Sequence, residues 1–196
     1  MSRNRGVTYD LKLSHIRSTA ASLFAENGFS RTSMAELARE CGVSKALLYH
    51  YYTSKEALLF DILDTYLGKL RDALLLNPHS YKQSRDHLRA LIYTLLMEYK
   101  QAGNTHKLLL HDLHVLPEEQ QAELRQSEKI IVAQFAEALD FSAKEAGHPN
   151  PPHGPRAMML LGILNWTYTW FRDEGVLSIE EYCDLICDSM IASLAV

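Results

Sequence analysis

Cysteine is scarce and odd in number. The three, Cys41, Cys183 and Cys187, show no metal-site pairing, which excludes a disulfide framework and points to a reducing cytoplasm where each thiol packs as a small apolar group. Cys183 and Cys187 stand one helical turn apart, a spacing that fits a shared packing face better than a redox pair. An apolar run at the start is also missing: residues 1–9 hold Arg3 and Arg5 and read as a flexible arm, neither a secretion signal nor a membrane anchor. No Gly- or Ser-rich linker divides the 196 residues, and no internal repeat occurs. There is no phosphate-cradling glycine loop, no Gly-x-Ser-x-Gly elbow and no Cys-His signature at a helix start, so neither a catalytic residue nor a cofactor is expected. Alternating strand patterns of useful length are absent, which leaves an all-α fold.

What is present lies first between Ser33 and Leu58, SMAELARECGVSKALLYHYYTSKEAL. Ser33 and Glu36 have the spacing of a capping box, in which each side chain satisfies an orphan amide of the other. Met34, Leu37 and Ala38 then share one apolar face. Gly42 permits a sharp exit, Val43 fills the angle, and Ser44 caps a second short helix, Lys45 to Tyr51. That helix should bury Leu48 and Tyr51 and leave Lys45, Ala46, Leu47, Tyr49 and His50 outside. Lys45 can meet phosphate or guanine, Ala46 lets backbone come close to DNA, and Tyr49 and His50 can donate to phosphate or touch a thymine methyl. Thr53 and Glu56 read as the cap of a further helix, with Lys55 at a start suited to phosphate. The layout is that of a DNA-reading helix-turn-helix, although the same corner occurs in proteins that never meet nucleic acid.

Charge is unevenly distributed. Residues 1–55 carry eight Lys/Arg against four acids, net +4, whereas the rest carries twelve against twenty, net −8, giving −4 overall. A basic end on an acidic body would find and orient on DNA electrostatically, and an ordinary solvated surface would look the same in composition.

The segment from Lys12 to Leu59 resembles the amino-terminal domain of the TetR family of bacterial regulators. The residues that carry the resemblance are the opening helix to Asn27-Gly28-Phe29, Thr32-Ser33, Cys41-Gly42-Val43-Ser44, Leu48-Tyr49, Tyr52 and Ser54-Lys55-Glu56. Two departures are Ala46, where the family often has Gly, and Tyr51-Tyr52, where a pair such as His-Phe is common. The resemblance implies a DNA-binding domain over residues 1–59 and a helical ligand-binding and dimerisation domain over 60–196. It implies DNA contacts at Thr32, Ser33, Ser44, Lys45, Ala46, Tyr49, His50 and Lys55, with Tyr49 and Lys55 on backbone and Lys45 and His50 on bases.

Beyond residue 58 the periodicity predicts helices to Leu76, halting at Asn77-Pro78, then Arg85–Ala102, a shorter one near Lys107–Leu113, and a long one from Pro117 to Ala146 ended by Gly147. A loop over Pro149–Pro155 follows, then helices over Arg156–Phe171 and, after a second capping box at Ser178 and Glu181, Ile179–Leu194. The count is roughly nine. MMLLGILNWTYTWF and YCDLICDSMIASLAV are apolar on more than one face and need cover on both sides. The resemblance implies a homodimer built from these helices, with Met159, Ile163, Trp166, Tyr182, Ile186 and Met190 at the interface, and hence a near-palindromic operator on double-stranded DNA.

The signal is less legible. Trp166, Trp170 and Arg172 gather aromatic surface and a cation, and Tyr93, Met97, Leu110 and His114 are positioned to line a cavity among central helices, with core packing as the competing account. GILNWTYTWFRDEGVLSIEEY resembles the end of TetR-type regulators of fatty-acid, sterol or aromatic-acid breakdown, a subset that often answers to acyl-CoA thioesters. A repressor released by such an apolar metabolite is therefore expected, against a regulator of efflux or stress genes sensing a hydrophobic xenobiotic. His111 and His114, three residues apart, also raise a helical metalloprotein, although two further ligands are absent locally, so no metal is expected. An interaction module with a purely structural helix-turn-helix is the remaining class.

Overall fold

The computed structural model describes residues 2–76, 81–147 and 153–195. Among these residues there are nine α-helices and no strand: α1 (Ser2–Asn27), α2 (Met34–Glu40), α3 (Lys45–Tyr51), α4 (Lys55–Leu75), α5 (Ser84–Gln101), α6 (Gly103–Asp112), α7 (Glu118–Glu145), α8 (His153–Trp170) and α9 (Ile179–Ala192). Short 3-10 turns follow α6 at Leu113–Val115 and α9 at Ser193–Ala195. The chain divides into two compact units, residues 1–67 with 102–124 and residues 68–101 with 125–196, so the boundaries fall inside α4, between α5 and α6, and inside α7. No described helix is long and apolar enough to cross a membrane.

In the first unit Ile16, Ala20 and Phe24 repeat every four residues along α1 and are fully buried, as are Leu37 of α2, Leu48 of α3 and Leu58 and Leu59 of α4. Each buried leucine contributes about 2 kcal/mol of transfer free energy. Gly28, at φ +87°, turns the chain out of α1, and Phe29 folds back with its ring centroid 5.0 Å from that of Phe24. α6 packs along α1, with Asn104 Nδ2 donating to Ser22 Oγ at 3.2 Å. The second unit is built on α5, α7, α8 and α9. Leu88, Leu91, Leu95, Phe135, Leu139, Leu160 and Leu164 fill its centre, and Arg85 and Arg89 of α5 reach Asp184 and Asp188 of α9 at 2.7–3.1 Å.

The cysteines behave as small apolar groups. All three are free and buried, and burial pushes the Cys183 thiol up to about 12 and that of Cys187 up to about 11, which keeps both neutral.

Several boundaries differ from the sequence reading for identifiable reasons. The arm expected over residues 1–9 is helical from Ser2, because extending a nucleated helix adds one hydrogen bond per residue ordered. α4 is capped by Ser54, whose Oγ accepts from the Ala57 amide at 3.1 Å, and Thr53 stands exposed one residue earlier. Tyr51 is only half-buried, and Tyr52 takes the interior position. The Pro-rich loop is shorter than expected at its far end: His153, Gly154 and Pro155 form the first turn of α8, where a proline's missing N–H leaves no bond unmade. Asn77-Pro78 and Pro149–Pro152 lie outside the described residues.

His106 of α6 was not singled out by periodicity. It is 1% exposed, faces the Tyr66 hydroxyl with Nδ1 at 3.2 Å, and burial with the nearby His111 lowers its pKa from the ordinary 6.5 to about 4. Because the folded pKa lies below the unfolded one, the unfolded chain takes up the proton first. Stability is therefore full above about pH 6.5 and falls as the pH drops toward 4. Urea unfolding should show a loss of about 2 kcal/mol between pH 7 and pH 5 from this residue. The loss should shrink in His106→Gln, and an unchanged slope in that variant would assign the pH dependence to other groups.

Candidate nucleic-acid interface

Two seven-residue helices and the turn between them build the candidate surface. The Ser33 hydroxyl accepts from the Glu36 amide at 3.2 Å, and Ser33 N–H donates to Glu36 Oε2 at 3.5 Å, the expected capping box. After α2, Gly42 adopts φ +64°, and the amides of Gly42 and Val43 donate to the carbonyls of Arg39 and Ala38 at 3.1 and 3.0 Å. Ser44 Oγ then accepts from the Leu47 amide at 3.1 Å and starts α3.

On α3 the inward anchor is Leu48, and Lys45, Ala46, Tyr49 and His50 form one exposed face. Lys45 Nζ lies 5.9 Å from the centre of the Tyr49 ring, so ammonium and phenol are presented together. His50 and Tyr51 meet edge to face at 5.5 Å, and Tyr51 meets Tyr9 of α1 at 5.4 Å, which supports the helix from outside the corner. A cation, a small residue, a phenol and an imidazole on one ridge can reach both phosphate and base edges.

Four residues expected as DNA contacts are engaged within the protein. Thr32 is 1% exposed and its hydroxyl donates to the Gly28 carbonyl at 3.0 Å, so the side chain does not reach a phosphate. Ser33 and Ser44 stand exposed, but their hydroxyls cap α2 and α3. Lys55 Nζ donates to the carbonyls of Phe29 and Ser30 at 2.9 and 3.3 Å and sits 4.7 Å from the Phe29 ring centre, which ties the start of α4 to the entry of α2. One of its three N–H donors remains for a phosphate.

The expected effector and interface residues separate. Tyr93 and Met97 are half-buried on α5 in the second unit, whereas Leu110 and His114 are exposed and belong to the first. Trp166 and Trp170 of α8 and Arg172 just after it are exposed, so Trp166, 65% open, does not line the interior of its own unit. Met159, Ile163, Trp166 and Trp170 follow a four-, three- and four-residue spacing that makes a single outward apolar stripe along α8. On α9 the expectation fails at Tyr182, Ile186 and Met190. They are 6%, 4% and 4% exposed because they complete the core of their own unit, and Leu185 is the apolar side chain turned outward. Among the described residues no three His, Cys, Asp or Glu side chains are grouped to hold a metal, and His111 and His114 are both exposed.

Sequence reasoning missed the part-buried polar contacts. In the second unit the Tyr99 hydroxyl donates to Asn165 Oδ1 at 2.8 Å, and burial raises the pKa of the neighbouring Glu128 against the pull of Arg125. In the first unit Tyr52 and Arg17 both reach Asp61. Periodicity assigned Tyr99 to an apolar face and carries no information on partners 66 residues away.

The comparisons with known proteins agree with this geometry. Residues 16–62 match the family model described as bacterial regulatory proteins, tetR family, and residues 81–194 match the tetracyclin repressor-like C-terminal domain. MftR of Mycobacterium tuberculosis, whose name ties it to transcriptional regulation of mycofactocin biosynthesis, is 30% identical over 166 residues, 83% of this chain and 81% of that one. The transcriptional repressor KstR2 of Rhodococcus jostii is 25% identical over 182 residues, 87% of each chain. AibR, solved in complex with isovaleryl coenzyme A and operator DNA, superposes with a TM-score of 0.77 at 27% identity and covers 93% of this chain and 97% of its own. With both halves matched in order and the helix-turn-helix in place, the chain belongs to the TetR family and is a DNA-binding, ligand-responsive transcriptional regulator.

Proposed function

We propose that the protein is a homodimeric repressor that binds a near-palindromic operator and is released by an acyl-CoA thioester formed in fatty-acid, sterol or aromatic-acid breakdown. The observation that carries the DNA-binding part is the α3 ridge: Lys45, Ala46, Tyr49 and His50 are exposed together on a helix whose start, end and inner face are all secured. Repression is supported by the similarity to KstR2, and the thioester by the similarity to AibR. The division of the chain into a DNA-binding domain over residues 1–59 and an effector and dimerisation domain over 60–196 belongs to the same reading.

Dimerisation is supported by the α8 stripe. Met159 and Trp166, 62% and 65% exposed, present large apolar surface that one chain leaves uncovered. A two-fold axis on this stripe makes the contact self-complementary and sets two α3 ridges to read two half-sites. For the effector, the buried Tyr99 with half-buried Asn165 and Glu128 forms a polar group beside the apolar core of the second unit. These residues join Tyr93 and Met97 as the proposed lining, with the Tyr99 hydroxyl and the Asn165 amide as hydrogen-bonding groups for a thioester carbonyl.

The first experiment is selection of bound fragments from sheared genomic DNA, with and without a panel of acyl-CoA thioesters and free acids. One palindrome should be enriched and then lost with one thioester, the apparent operator affinity falling by about 5- to 150-fold, while the matching free acid has no effect. Release by free acids or by unrelated apolar drugs alone would remove the thioester reading. Tyr49→Ala should weaken all DNA about tenfold through a lost phosphate contact, whereas Lys45→Ala and His50→Ala should change base preference by about 1–3 kcal/mol at one position of the site. Unchanged binding after all three substitutions would dissolve the α3 assignment. Trp166→Asp should give a monomer by sedimentation and abolish tight operator binding. A dimer persisting at micromolar concentration would place the interface elsewhere.

A further inference from the structure

Tyr52 is one of the positions at which the sequence departs from its resemblance, carrying a hydroxyl where a phenylalanine is common. The structure gives that hydroxyl a partner. Tyr52 is buried, and its O–H donates to Asp61 Oδ2 at 2.6 Å; Arg17 Nη1 reaches the same oxygen at 3.2 Å. Arg17 comes from α1, Asp61 from α4, and Tyr52 is the residue that closes α3, its own N–H bonded to the Leu48 carbonyl at 2.9 Å. Burial and the adjacent carboxylate raise the Tyr52 pKa, so the phenol stays a donor.

These contacts bear on α3 in particular. A seven-residue helix has little stability or orientation of its own, and α3 is fixed at its start by Ser44 and along its inner face by Leu48. Those anchors do not fix the far end of α3, which is held by the buried Tyr52 ring, by the Tyr51 contact with Tyr9 and, with directional geometry, by the Tyr52 hydroxyl. Lys55, six residues before Asp61 on α4, holds the Phe29 and Ser30 carbonyls at the entry to α2. α4 thus grips the two-helix corner at both ends.

We propose that Asp61 is the positioning residue of the recognition helix: by clamping the Tyr52 hydroxyl beside Arg17 it sets the tilt at which Lys45, Tyr49 and His50 meet the groove, and with it the discrimination between operator and unrelated DNA. The inference rests on the DNA-binding reading above. Base-edge hydrogen bonds have narrow geometry and are lost when a ridge tilts, whereas contacts to phosphate are largely electrostatic and tolerate it. Loss of the clamp therefore lowers the fraction of molecules that present the correct tilt, and apparent operator affinity falls by that fraction.

The test uses the full chain and two duplexes, an enriched genomic fragment and an unrelated one of equal length. Tyr52→Phe and Asp61→Ala should each lose about tenfold in operator affinity, the factor a hydrogen bond to a charged group is worth, with about twofold or less change on unrelated DNA. Asp61→Asn, whose amide oxygen still accepts from the phenol, should recover most of the operator affinity. The double variant Tyr52→Phe/Asp61→Ala should be no worse than Asp61→Ala alone, because that single change already removes the Tyr52 bond. Tyr52→Phe removes one oxygen and keeps the ring, so it decides the matter if Asp61→Ala fails to fold. If both variants lower Tm but leave the ratio of operator to unrelated affinity unchanged, Asp61 is a structural residue only and the proposal falls. A wild-type chain that enriches no fragment would instead overturn the DNA-binding reading itself.

Discussion

Two helices of seven residues must be held by something other than themselves. An isolated helix in water needs roughly 12–15 residues before propagation offsets nucleation, so α2 and α3 exist only as packed and capped pieces. Every feature of the candidate interface follows from that constraint. Ser33 with Glu36 and Ser44 satisfy the amides that a short helix leaves open, Gly42 takes a left-handed conformation that other residues adopt at a cost, and Leu37 and Leu48 anchor the inner faces. The outer face of α3 is then free to carry Lys45, Ala46, Tyr49 and His50, because none of them contributes to the core.

The same constraint explains why polar side chains recur around the corner at partly buried positions. Apolar contact fixes the distance between helices but leaves rotation soft, whereas a hydrogen bond or ion pair with defined geometry also fixes orientation. Lys55 on the Phe29 and Ser30 carbonyls and Asp61 between Tyr52 and Arg17 are such contacts. They are also the reason that a lysine at a helix start, a plausible phosphate ligand in sequence, is largely committed to the fold. The charge asymmetry of the chain, +4 over residues 1–55 and −8 over the rest, acts at longer range than these contacts and carries none of their fine geometry.

What could be read in the sequence was local. Capping boxes at Ser33 and Ser178, the Gly42 exit, the Gly147 stop and the apolar stripe of α5 all depend on residues within one or two turns of each other, and each is found in the structure. Errors arose where a neighbouring residue offered the same chemistry, as with Thr53 and Ser54, or where propagation extended a helix through residues of no evident preference, as at the start of α1. The polar contacts that orient elements were not legible. Arg17 and Asp61 lie 44 residues apart and Tyr99 and Asn165 lie 66 apart, and nothing in the period of either segment links them.

The last two helices show where hydrophobic pattern stops being informative. α8 is apolar around most of its circumference, so periodicity assigns it no inner face, and α9 could equally have shared its surface with a second chain. In the structure α8 divides cleanly: Ala157, Leu160, Leu161, Leu164 and Thr167 turn inward, and Met159, Ile163, Trp166 and Trp170 turn outward. α9 is asymmetric in the opposite sense, its Tyr182, Ile186 and Met190 consumed by the core and only Leu185 left as a large apolar side chain outside. The difference has a physical origin. α9 buries Tyr182, Cys183, Ile186, Cys187 and Met190, which sets its rotation, and the partly exposed ion pairs of Asp184 and Asp188 with Arg85 and Arg89 add orientation to that packing. The outward side of α8 is a stripe of two tryptophans, a methionine and an isoleucine, and such an uncovered apolar surface is unfavourable in water unless another surface meets it. In the proposed homodimer a second copy of the chain would supply a surface of the same length and chemistry, and the two-fold symmetry of that arrangement would match a palindromic site.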